Sequence, residues 1–371
     1  MKKTFRVLLG LALGVALLAL SFRGVEWGRV WQECRNASPL YILASIFVGI
    51  VFHNLLRAWR WRVMLSSEKK GIGLYNLYST TMIGYAVSWA LPLRLGEVVR
   101  PVLLAQREKI RVSPALTTIA IERLLDGLAV VALFAMALEA WPGREGIGTQ
   151  GEEILGYARL GGVVMLVGSA VLFGALIVAT ATRRRWEPRA EALAARSGAG
   201  LRARALRFLV GIVEGGAILS RPLGLVAVAG QSLAIWVVIG ASLWLGLLGG
   251  GVRISFLEIF IFLPASVAGI GVPTPGGAGS YELFVSRALH HLFGQPLDKA
   301  YAATLILHVV ITLVPVVLLG LVLLWRDGIS LSGLREALAA AGAEHGAAPR
   351  RAAAAGDQTA GGAESGAGGT R

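Results

Sequence analysis

Eight apolar runs, at about residues 5 to 22, 40 to 58, 72 to 91, 124 to 141, 158 to 181, 222 to 249, 254 to 271 and 300 to 325, are each long enough to cross, or nearly cross, a hydrocarbon layer. Inside such a layer there is no water to pair with backbone N–H and C=O groups, so each run must satisfy its own, as a helix does. With 55% hydrophobic and only 16% charged residues in 371, a soluble domain is excluded. The fold class expected is therefore an all-α integral membrane protein, a polytopic helical bundle. The net charge of +14 does not point to nucleic acid, because the basic residues flank apolar runs and form no patch interleaved with aromatics. Membrane lipids with anionic or zwitterionic headgroups are the partners this distribution suits.

Metal and redox motifs are missing from the sequence. The single Cys34 excludes a disulfide framework and any CxxC, no HExxH or GxSxG is present, and His290 and His291 lack ligand spacing. A GxGxxG at residues 146 to 151 follows an apolar helix instead of a strand, so it reads as a loop. We expect no cofactor, no metal and no enzymatic activity. The first apolar run, preceded by Lys2, Lys3 and Arg6, is expected to be retained and not cleaved.

Eight simple crossings with the amino terminus inside would put the loop from Arg183 to Arg221 outside, although it holds nine arginines against Glu187, Glu191 and Glu214. Basic loops stay on the cytoplasmic side. The conflict disappears if residues 72–105 dip in from the cytoplasm, break at Pro92 and return, and if residues 254–293 do the same from outside, breaking across Pro273 to Gly279. About six crossing helices plus two opposed re-entrant hairpins result, in one membrane domain over 1–325 with both termini cytoplasmic. Broken segments in corresponding places of two halves mark an inverted-repeat transporter with its site near the midplane. The segment 183–221 reads as a basic amphipathic element on an anionic leaflet, and the Ala/Gly-rich residues 326–371 as a largely disordered tail.

Both hairpins carry charge beside apolar segments, where an ionisable group costs about 2.5 to 3.5 kcal/mol. Arg94, Gly96, Glu97 and Arg100 follow Pro92; the i, i+3, i+6 spacing of Arg94, Glu97 and Arg100 puts the charges on one helix face, a plausible phosphate seat with Glu97 holding the arginines. Pro275, Gly276, Gly277 and Gly279 allow backbone shapes that let a headgroup approach the main chain, and Glu282 and Arg287 follow. Glu122, Arg123 and Asp126 open the fourth run, where they either cap a helix and join the first hairpin's ion pairs or form an ordinary interfacial pattern. Arg57, Arg60 and Arg62, interleaved with Trp59 and Trp61, read as an interfacial belt, with a substrate role the alternative, and His53 and His308, inside apolar helices, read as packing residues, with proton relay the alternative.

The segments NLLRAWRWRVML, LPLRLGEVVRPVLL, ERLLDGLAVVALF and PTPGGAGSYELFV, in this order, resemble the flippase-like lysylphosphatidylglycerol synthase transmembrane-region family over roughly residues 40 to 325. In its best-known relative, the multiple peptide resistance factor, such a domain is associated with moving an aminoacylated phospholipid between leaflets, while a separate soluble domain makes that lipid. The 46 residues after Trp325 are too few for that soluble domain, so the resemblance implies the membrane unit alone. By motif it carries over Arg94, Gly96, Glu97, Arg100, Glu122, Arg123, Asp126, Pro275, Gly276, Gly277, Gly279 and Glu282 as substrate-binding residues. The expected function is translocation of a phospholipid or polyprenyl-phosphate-type lipid across the cytoplasmic membrane, beside envelope-lipid biosynthesis enzymes as possible partners. An intramembrane enzyme acting on a lipid-linked phosphate or sugar, and a non-transporting scaffold, are the alternatives.

Overall fold

A computed structural model describes residues 2–90, 96–142, 146–198 and 222–330, with isolated positions between 200 and 213. Among the described residues there are twelve helices and no strand. They are α1 (Lys2–Ser21), α2 (Trp27–Arg35), α3 (Pro39–Ser67), α4 (Leu74–Ala90), α5 (Gly96–Glu108), α6 (Val112–Glu139), α7 (Gly148–Ala181), α8 (Arg183–Arg196), α9 (Pro222–Gly249), α10 (Ile259–Gly271), α11 (Ser280–Phe293) and α12 (Leu297–Arg326). Four are long and apolar enough to cross a membrane: α3, α7, α9 (from Leu223) and α12. The 28-residue α6 has the length but holds Glu122, Arg123 and Asp126 in its middle. The chain is an all-α polytopic bundle, as expected.

The fourth apolar run differs from its expected start. Helix α6 begins at Val112, ten residues before Glu122, so the acidic residues cap nothing and lie at depth inside the bundle. Two further features left no mark in the hydropathy pattern: the short helix α2, and two π-helical stretches, Phe47–Phe52 in α3 and Ile306–Leu313 in α12. A π-turn widens a helix by one residue and is frequent at functional sites. The break at Pro92 and the charge at Arg94 lie outside the described residues, as do most of 199–221 and the tail beyond 330.

Helices α4 and α5 pack against each other, as do α10 and α11. Gly96 lies so near α4 that a Cβ there would sit 1.6 Å from the Gly84 carbonyl oxygen. Only glycine permits that approach.

The two hairpins open at opposite ends of the bundle. At one end, Asp327 just past α12 accepts hydrogen bonds from Tyr75 and Ser79 of α4 and Arg107 of α5. At the other, Asp298 in the first turn of α12 accepts from the Glu26 backbone before α2, Trp141 after α6 donates to Glu258 before α10, and the Arg287 side chain of α11 donates to the Arg23 carbonyl after α1. The thirty residues of α12 separate the two ends by about 45 Å at 1.5 Å per residue. Five helices, α3, α6, α7, α9 and α12, run from end to end, α1 runs from the second end along the tip of the second hairpin, and the hairpins reach inward from opposite sides. The inner end of α4 meets the tip of the second hairpin: a Cβ on Gly276 would lie 3.2 Å from the Trp89 carbonyl oxygen.

Candidate functional site

Two polar centres lie inside this bundle. The first gathers Arg57 and Arg60 of α3, Arg100 of α5, and Glu122, Arg123 and Asp126 of α6. Arg57 and Arg60 donate to opposite oxygens of Asp126, at 3.1 and 2.6 Å. Arg100 grips both oxygens of Glu122, at 2.9 and 3.2 Å, and its guanidinium stacks 3.9 Å over the Trp61 ring. Arg60 also approaches Glu122 at 3.6 Å and donates to the Ser232 hydroxyl of α9 at 2.7 Å. Arg123 lies 3.6 Å from Asp126 and is the one member whose side chain is substantially exposed, at 41%.

The other five members are buried. Glu122 sits ten residues into α6 and Arg100 eight from the end of α5, which places the cluster about 12 to 15 Å inside the same end of the bundle.

Charge does not balance here. Four guanidinium groups face two carboxylates, and arginine does not lose its proton in proteins. His53 adds nothing to the negative side: Arg57 Nε can only donate to its Nε2, at 2.7 Å, so the ring is neutral and its Nδ1–H bonds the Gly49 carbonyl at 2.9 Å. Among the described residues, Arg60 Nε and Nη2 and Arg100 Nε find no hydrogen-bond acceptor. A buried site with surplus positive charge and idle N–H donors has the chemistry to accept an anion, and planar guanidinium groups match phosphate oxygens.

The second centre is the tip of the α10–α11 hairpin. Gly276, Gly277 and Gly279 have φ of 59°, 72° and 83°, the left-handed region that side chains disfavour. Their turn aims the Gly276 carbonyl at His308 Nε2, 2.8 Å away, and the Gly279 N–H at Glu282 Oε2, 2.7 Å away. Glu282 Oε1 meets His308 Nδ1 at 2.5 Å. The imidazole lies between Tyr281 and Trp89, whose rings are 4.5 and 5.3 Å from it. His308 sits within the π-helical stretch of α12. Helix α1 covers the tip through Gly10 and Gly14: a Cβ on Gly279 would strike the Gly14 carbonyl oxygen at 2.4 Å.

The profile of the lysylphosphatidylglycerol synthase TM region matches residues 7–320, a stretch that takes in both hairpins and both polar centres. The chain belongs to this family. It is accordingly a multi-pass membrane protein of a family tied to lipid metabolism or transport. No curated protein and no solved structure matches the chain.

Of the residues singled out in this family member, Arg100, Glu122, Arg123 and Asp126 come together in the first centre, and Pro275, Gly276, Gly277, Gly279 and Glu282 in the second. Gly96 serves helix packing. Arg94 lies outside the described residues.

Glu97 does not pair with Arg100, which turns to Glu122 instead; it is half-buried, and its other expected partner, Arg94, lies outside the described residues. Pro101 next to Arg100 also withholds the N–H that the Glu97 carbonyl would accept in a regular helix. Arg57 and Arg60 are not an interfacial belt. They and Trp61 face inward, and only Trp59 and Arg62 of that segment are exposed. The i, i+3 spacing of Arg57 and Arg60, on a face turned away from Trp59, was the available signal. His308 is the other residue passed over, because its partner lies 26 residues away on another helix.

Proposed function

We propose that this protein carries a phosphate-bearing lipid between the leaflets of the cytoplasmic membrane. The observation behind the reading is the buried surplus of guanidinium over carboxylate in the first centre. The lipid phosphate occupies the space by the exposed Arg123 side chain and takes the idle donors of Arg60 and Arg100, while its tails stay in the bilayer. Glu122 and Asp126 hold the arginines in place when no phosphate is bound. The opposed hairpins, meeting where the inner end of α4 reaches the second tip, provide a polar route that rearrangement opens first to one side and then to the other, the logic of inverted-repeat carriers. The second-centre residues Pro275, Gly276, Gly277, Gly279 and Glu282 complete that route.

The positive-inside rule sets the orientation of this reading. At one end of the bundle Lys69, Lys70, Arg107, Lys109, Arg111 and the five arginines of α8 outnumber Glu68, Glu108, Glu187, Glu191 and Asp327, whereas at the other end the arginines are matched by Glu26, Glu139, Glu258 and Asp298. The basic end is the cytoplasmic one, with both termini there. The chain acts as a carrier and performs no bond chemistry of its own.

Reconstitution tests this directly. Vesicles of phosphatidylethanolamine and phosphatidylglycerol containing the protein and a headgroup-labelled phosphatidylglycerol should lose label from the outer leaflet faster than empty vesicles, and Arg60→Met and Arg100→Gln should cut the rate at least about tenfold, equivalent to about 1.4 kcal/mol. Equal rates in full and empty vesicles overturn the reading. Appearance of a cleaved or newly joined lipid would favour the intramembrane enzyme instead.

A further inference from the structure

The Glu282–His308 contact has a proton count that geometry fixes. A carbonyl oxygen can only accept, so the bond from His308 Nε2 to the Gly276 carbonyl puts a hydrogen on Nε2. The opposite nitrogen, Nδ1, faces Glu282 Oε1 at 2.5 Å, and one proton must lie between them, either as imidazolium against carboxylate or as carboxylic acid against neutral imidazole. If that proton leaves, Nδ1 and Oε1 present lone pairs to each other and the contact cannot persist at this distance.

Both atoms belong to buried residues, on α11 and α12. Among the described residues, the polar and titratable groups around the pair are Tyr281 on α11, Ser266 on α10, and Thr274 and Ser280 at the tip; α4 presents the Trp89 ring, and α1 lays its backbone on the tip at Gly14. Tyr301, further along α12, is engaged with Ser21 at 3.0 Å. Among the described residues no lysine, arginine or second carboxylate pairs with Glu282 or His308, so the shared proton is the charge this centre can gain or lose.

We propose that Glu282 and His308 form a proton-binding site that couples lipid movement to the proton gradient. With the proton bound, His308 clasps Glu282 through Nδ1 and the Gly276 carbonyl through Nε2, which pins the glycine-rich tip to the π-helical stretch of α12. Loss of the proton from between Nδ1 and Oε1 releases that clasp. Trp89, at the inner end of α4, leans on the same imidazole and registers the change. The layout of the two halves agrees: in each, the returning helix of the hairpin pairs with the crossing helix after it, Arg100 with Glu122 and Glu282 with His308. The first pair is permanently charged, and the second is the one that exchanges a proton.

The coupling rests on the transport reading above, while proton binding can be tested without it. In the same labelled vesicles, an imposed pH gradient should polarise the label between leaflets, with the sense inverting when the gradient is inverted, up to about tenfold per pH unit for one proton per lipid. Glu282→Gln donates permanently to Nδ1 and should hold the tip closed, abolishing movement at an unchanged melting temperature. Separately, infrared difference spectra of the detergent-purified protein between acid and alkaline pH should show one proton leaving the pair, a signal that is lost in Glu282→Gln and lost or shifted in His308→Gln. An identical titration in wild type and both variants overturns the proposal whatever the vesicles show. Label movement that ignores gradients of either sign overturns the coupling and leaves transport standing. A wild type that titrates but moves no label keeps the proton site and removes the transport reading.

Discussion

Removing one carboxylate from the arginine cluster leaves guanidinium groups buried with still less counter-charge, a change that typically costs about 3–5 kcal/mol. Asp126→Asn, which strips the shared partner of Arg57 and Arg60, should therefore lower the thermal midpoint sharply, and Glu122→Gln comparably. Removing Arg123, with its exposed side chain, should cost little stability but slow lipid movement. Unfolding of the purified variants followed by tryptophan fluorescence distinguishes these outcomes. A different residue sets an acid limit. Burial pushes the Asp327 carboxyl up, but hydrogen bonds from Ser79, Tyr75 and Arg107 outweigh it and hold it below the ordinary carboxylate range. A lowered carboxyl contributes stability above its unfolded value and loses it as the pH falls through the folded one. The tie of α12 to the first hairpin should thus be intact at neutral pH and fail in acid, a loss that Asp327→Asn should remove from the stability profile. At this scale the sequence exposed the acids and the glycines, since charge and backbone freedom beside apolar runs stand out. It hid Arg57, Arg60 and His308, whose roles are set by partners on other helices.

Each hairpin depends on a close approach that tolerates no side chain. Gly96→Val would press into the Gly84 backbone and force α4 from α5, and Gly279→Ala combines a φ of 83° with a clash against the Gly14 carbonyl. Such overpacking costs about 1–3 kcal/mol. Both variants should yield folded protein of lower melting temperature with lipid movement lost out of proportion to stability, measured on the same preparations. The position of the second break was legible because proline and positive-φ glycine interrupt a helix wherever they cluster, whereas the break expected at Pro92 lies outside the described residues. The start of α6 was not legible, since SPALTTIAIERLL continues helically through polar residues that hydropathy alone takes for an interface. Nor were the π-helical stretches, which arise from packing and have no residue signature.

For the molecule as a whole, the opposed hairpins and the six crossings expected from the sequence make a topological prediction. In a Cys34→Ser background, single cysteines at Arg107 and Ser197 should react with an impermeant maleimide from one side of the membrane, and those at Gln150 and Gln295 from the other. Arg107 and Gln295 sit at opposite ends of the bundle through their neighbours Asp327 and His290, so labelling of both from the same side would contradict the arrangement. At this level the all-α membrane bundle was legible, because span length and apolar composition obey the bilayer and not the details of packing. The meeting of α4 with the tip of the second hairpin was not.

The most direct test of the central claim is to locate a lipid phosphate. Electron cryo-microscopy of the protein in phosphatidylglycerol nanodiscs should show phosphate density within hydrogen-bond reach of Arg60, Arg100 or Arg123, inside the bundle and beside hairpins that turn back at their tips. Headgroups confined to the outer rim with the arginine cluster dry and closed, or either hairpin running straight through the bilayer, would contradict the account.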